Sequence, residues 1–125
     1  MKYLLDTHVL LWWLADDEAL SDRAREAIAN RTNLIFLSAA SLWEIVIKQS
    51  LGKLELPSNW IESIAEESFT RLPIQWEHAL AVRNLPELHR DPFDRLLLAQ
   101  CVVEDLTFIT HDAKLFDYDV RFLKT

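Results

Sequence analysis

Short apolar runs recur along this chain, with helical segments between them, and that alternation limits the folds open to it. Tyr3-Leu4-Leu5 and Leu34-Ile35-Phe36-Leu37 read as buried strands, the first ending at Asp6. Arg71-Leu72-Pro73-Ile74 reads as a short third strand, placed near an edge by its proline. Thr107-Phe108-Ile109-Thr110 reads as a fourth strand and Val120-Arg121-Phe122-Leu123 as a fifth. Between them lie helical segments over Val9–Leu14, Ala24–Ala29 with Ser21 as cap, and Ser41–Leu51 stopped by Gly52. Further helices start after Pro57-Ser58, over Glu77–Asn84, and at Asp91-Pro92, the last running to Val103. Strands alternating with helices imply an α/β fold with a mainly parallel sheet of four to five strands.

At 125 residues, half of them apolar, the chain forms a single domain over 1–125 with enough core to fold without staples. The lone Cys101 excludes a disulfide framework and a cysteine-rich zinc site, and reads as an inert core residue. No apolar run approaches the ~20 residues of a membrane span, so a soluble, cytoplasmic protein is expected. The net charge of −7 argues against a coat protein for nucleic acids, whose footprint is basic. It leaves open an enzyme whose acids hold a metal.

In parallel sheets, ligands bind beyond the carboxyl ends of the strands, and four acids are expected there. Asp6 ends the first strand and Asp112 follows the fourth by two residues. Glu44 and Asp94 are expected in the first turns of helices that begin at that same rim. Clustered carboxylates repel one another, and a hard divalent cation such as Mg²⁺ or Mn²⁺ relieves that cost. Such an ion also acidifies water and neutralises charge on a phosphoryl group.

Each acid has a structural alternative. Glu44 completes a capping box with Ser41, Asp94 favours a helix dipole, and Asp112 caps a turn. Asp6, directly after a buried strand, is costly unless it is paired or used. His8, His78, His89 and His111 lack zinc-site spacing; His8 and His111 flank rim acids and read as surface residues or substrate contacts. Of the five tryptophans most are expected in the core. The adjacent Trp12 and Trp13 cannot share a helix face, which leaves one for a subunit contact.

Four blocks in order, Leu4-Leu5-Asp6-Thr7-His8-Val9-Leu10-Leu11-Trp12, Ser41-Leu42-Trp43-Glu44-Ile45, Arg90 to Gln100 and Thr110-His111-Asp112, resemble PIN-domain proteins. Within them they look like VapC-type toxins of bacterial type II toxin–antitoxin systems. The resemblance implies a three-layer α/β/α sandwich and a Mg²⁺- or Mn²⁺-dependent endoribonuclease that hydrolyses RNA phosphodiesters with a metal-bound water. It places the acids at Asp6, Glu44, Asp94 and Asp112, leaves Asp91 as a helix cap, and gives Thr7 and Thr110 orienting roles. It further implies a homodimer and a cognate antitoxin. Lys48, Lys53, Arg90 and Arg95 lie nearest that site in sequence and are candidate RNA contacts. A haloacid-dehalogenase-like phosphatase also has an aspartate after its first strand but needs an acid two residues later, where this chain has His8. The remaining alternative is a non-catalytic PIN-like module that binds RNA or protein.

Overall fold

The structure, a computed structural model, describes all 125 residues. Its strands are β1 (Lys2–Leu5), β2 (Leu34–Ser38), β3 (Thr70–Leu72), β4 (Thr107–Thr110) and β5 (Phe122–Lys124). The helices are α1 (Thr7–Leu14), α2 (Asp22–Ala29), α3 (Ala39–Ser50), α4 (Trp60–Glu66), α5 (Trp76–Ala81) and α6 (Pro92–Glu104). All five strands pair in parallel, in the order β3-β2-β1-β4-β5, and β3 lies at an edge as its proline suggested.

Period-two alternation sends side chains of the central strands into two separate cores. Tyr3, Leu5, Ile35, Leu37 and Ile109 point to one face, where Val9, Leu10, Ala24, Ile28, Ile45 and Trp60 cover them. Leu4 and Phe108 point to the other, against Leu97, Leu98 and Cys101 of α6. Helices therefore cover both faces, which gives the three-layer sandwich. None of them is long and apolar enough to cross a membrane.

From β1 the chain moves outward through β2 to β3, then crosses to the other side of β1 to place β4 and β5. The strand order thus reverses between β1 and β4, and a crevice opens at the carboxyl ends of those two strands. Asp6 follows β1 directly, and Asp112 follows β4 by two residues.

Several local expectations change. Asp6 caps α1, so that helix starts at Thr7 rather than Val9. β2 runs straight into α3, and Ser38, the last residue of the strand, is also the cap, accepting from Ala40 N at 3.0 Å. Ser41 therefore lies buried inside the helix, and no Ser41–Glu44 capping box forms. Glu44 falls in the second turn instead of the first. Trp60 is the only buried tryptophan; Trp12 and Trp13 are half-buried, and Trp43 of α3 and Trp76 of α5 face outward. His78 is completely buried: its Nδ1 accepts from Gln75 N at 3.0 Å and its ring lies beside Gln100.

Candidate active site

Helix α6 starts as its sequence dictates. The Asp91 carboxylate accepts from Phe93 N at 2.9 Å and Asp94 N at 3.1 Å, with Pro92 at the first helical position. This aims Asp94 at the crevice. Across from it, the Asp6 carboxylate is held from both sides. One oxygen accepts from Thr7 N at 2.7 Å and the other from the Thr110 hydroxyl at 2.6 Å. The Thr110 oxygen in turn accepts from Asp112 N at 3.1 Å, so one buried hydroxyl links two acids.

Glu44 is buried behind them. The Thr7 hydroxyl has one proton to give and lies 2.7 Å from Glu44 Oε1 and 3.1 Å from the Ser41 hydroxyl. The shorter, charge-assisted contact takes the proton. Glu44 Oε2 accepts from Lys48 Nζ at 2.7 Å, one helical turn on.

A cleft of about 610 Å³ collects these groups. Asp6, Glu44, Asp91, Asp94 and Asp112 line it with Lys48, Lys114 and the imidazoles of His8, His89 and His111. All four acids singled out from the sequence thus meet in one place. They are not equivalent. His89, Asp94 and Asp112 each offer a ligand atom, and these atoms lie within 4.8 Å of one another. Each Asp6 and Glu44 oxygen already accepts one hydrogen bond, from Thr7, Thr110 or Lys48.

His89 is the residue that sequence spacing missed. Its Nε2 stands 2.9 Å from Asp94 Oδ2. Its loop is pinned by contacts distant in sequence: Arg95 donates to Val82 O and Pro86 O, and His89 N donates to the Tyr118 hydroxyl. Arg95 therefore directs its guanidinium to the backbone of that loop and does not line the cleft. Lys53 and Arg90 do not line the cleft, whereas Lys114 does.

Burial is the main cause of the raised pKa of Asp6, against the opposing hydrogen bonds from Thr110 and Thr7. Asp94 is pushed up to about 7, first by burial and then by the charges of Asp6 and Asp91. Lys48 is raised by its bond to Glu44. Five carboxylates against two lysines leave a charge deficit, and the donor set of oxygens with one imidazole fits a hard or borderline divalent cation. A second cavity, about 670 Å³, lies at the opposite rim around Trp13, Arg31 and Glu66, and gathers no comparable group of acids.

The PIN domain family model matches residues 3–121. Ribonuclease VapC22 of Mycobacterium tuberculosis is 31% identical over 115 residues, which cover 90% of this chain and 88% of that protein. Among solved structures, VapBC2 from Rickettsia felis bound to a DNA fragment from its promoter superposes with a TM-score of 0.77 at 16% identity. DNA-bound VapBC from Salmonella typhimurium gives 0.70 at 17% identity. Each of these two alignments covers 99% of this chain and 98% of the other.

Proposed function

The chain belongs to the PIN domain family, and from that premise we propose that it is a Mg²⁺- or Mn²⁺-dependent endoribonuclease, the toxin of a toxin–antitoxin pair. The observation that carries this reading is the convergence of Asp6, Glu44, Asp94 and Asp112 in one cleft at the point where the strand order reverses. Asp94, Asp112 and His89 would hold the ion, with Asp6 and Glu44 adding charge and hydrogen-bond acceptors around it. When bound, a divalent ion offsets phosphate charge and acidifies water.

The chain's own residues do the rest. Thr110 fixes Asp6 and the Asp112 backbone together, and Thr7 orients Glu44, so the acceptors are arranged before substrate arrives. Lys48 donates to the buried Glu44 carboxylate at 2.7 Å and sets a positive charge beside it. His89 Nε2 stands 2.9 Å from Asp94 Oδ2, beside the carboxylate that it would join in holding the ion.

The relative at 31% identity is a ribonuclease by name, which supports RNA as substrate. The structural neighbours are VapBC complexes, which supports an antitoxin partner; a partner segment with basic residues would suit the cleft. A homodimer is supported by the outward apolar face of α3, where Leu42, Trp43 and Val46 are 43%, 56% and 46% exposed. A toxin that acts on cellular RNA works in the cytoplasm.

The test is incubation of the partner-free protein with a mixed RNA pool and Mg²⁺ or Mn²⁺, alongside EDTA and Asp6→Asn. Cleavage that needs the ion and is lost in a folded Asp6→Asn protein is the expected result. No cleavage together with no Mn²⁺ binding in calorimetry would put the non-catalytic binding module in its place.

A further inference from the structure

The acidic cleft also has an aromatic wall that the chemistry above does not use. Trp12 lines the cleft, and part of its side chain packs against the core beneath α1. His8, one turn earlier, lies beside it at 6.3 Å between ring centroids with planes 46° apart. His111, next to Asp112, approaches at 5.2 Å with planes 73° apart. Neither imidazole lies parallel on the indole. His111 is itself held by a 2.8 Å contact from Nδ1 to Thr125 O. Both rings therefore neighbour a half-buried tryptophan that the core anchors from below.

Position along the helix gives this wall a meaning. Trp12 lies six residues beyond Asp6, about 9 Å along the helix axis at ~1.5 Å per residue. That is on the scale of the reach from a phosphate through its ribose to a base. Electrostatics gives it a need. RNA-binding proteins usually draw affinity from cationic contacts to phosphates, but this chain carries −7 and its cleft holds five acids. Base–aromatic stacking does not depend on net charge and tolerates any base.

Resting on the nuclease reading above, we infer that Trp12, beside His8 and His111, is a stacking platform for an unpaired base next to the scissile phosphate. The platform selects single-stranded or looped RNA, because a base inside a duplex has no free face to offer. It also makes binding less sensitive to salt than that of proteins that grip phosphates.

The experiment is fluorescence anisotropy with the full chain in Mn²⁺ and two phosphorothioate octamers, an octaadenylate and a strand of the same backbone that is abasic throughout. The wild type should bind the octaadenylate about 5- to 100-fold more tightly than the abasic strand. Trp12→Leu keeps an apolar side chain over the core and should bring that ratio close to unity with Mn²⁺ binding unchanged. Trp12→Phe should retain much of it. A ratio that persists in Trp12→Leu overturns the platform, as does a wild type that binds both strands equally. Failure of the nuclease reading looks different: the wild type binds neither strand and leaves an RNA pool intact, and the platform falls with it.

Discussion

The back and the mouth of the acidic cleft solve the problem of buried charge differently. At the back, Asp6 and Glu44 are only 5% and 4% exposed, yet the chain itself supplies their partners. Two threonines, one backbone amide and one lysine offset the cost of removing those carboxylates from water. At the mouth, Asp94 and Asp112 are half-buried and leave acceptor capacity facing the cleft. Asp94 shows the consequence, since burial and neighbouring acids hold its pKa near 7. The back is a polar network finished within the chain, although burial still raises the Asp6 pKa, while the mouth leaves acceptor atoms open to a cation.

Four changes test that contrast. The largest effect is expected at the mouth. Asp94→Asn should cut RNA cleavage by more than the ~10–100-fold typical of supporting residues around a metal, yet leave the metal-free protein at least as stable as wild type at pH 8. A loss of stability there would make Asp94 part of the finished network. At the back, Thr110→Val removes the hydroxyl that serves both Asp6 and Asp112 N. It should cost about 1–3 kcal/mol in urea unfolding as well as activity, and Thr110→Ser should restore both.

Titration separates the two halves a third way. Folding raises the Asp94 pKa from 3.8 to about 7, so the native state binds the extra proton. The stability this contributes is complete below pH ~4 and is lost as pH rises through about 7. The Tm of the metal-free protein should therefore fall between pH 5 and 8 relative to Asp94→Asn, and Mn²⁺ should recover it at pH 8. A parallel pH dependence in the two proteins would contradict the assignment. The smallest effect is expected of Lys48→Met. Loss of a cation beside Glu44 should tighten Mn²⁺ binding a few-fold by calorimetry. If Mn²⁺ affinity is unchanged and RNA binding weakens, Lys48 is an RNA contact instead.

The difference between the halves also explains what could be read from sequence. Asp6 was legible because an acid directly after a continuous apolar strand has few cheap explanations. Asp91-Pro92-x-Asp94 was legible because its capping is local chemistry, complete within four residues. The start of α3 was not. Ser38 and Ser41 are equally good caps, and pairing of Ser38 with Leu72 across the sheet, with its hydroxyl bonded to Gln100, settles the choice. His89 was illegible for the same reason. Nothing within its own segment fixes it; Arg95 and Tyr118 do, from α6 and from the stretch before β5. Trp43 and Trp76 looked like core because size and apolarity say nothing about which side of a helix a neighbour will occupy.

The placement of Asp6 and His89 has a kinetic corollary. Asp6 N donates to Ile109 O at 3.0 Å, extending the β1–β4 ladder by one bond past the end of β1, whereas His89 sits on a loop secured by a few side-chain bonds. Amide hydrogen exchange at Asp6 should then proceed only through global unfolding, while the loop around His89 exchanges through local opening. One wall of the cleft is as durable as the domain itself, and the facing wall can loosen and reclose many times within the lifetime of a single native molecule.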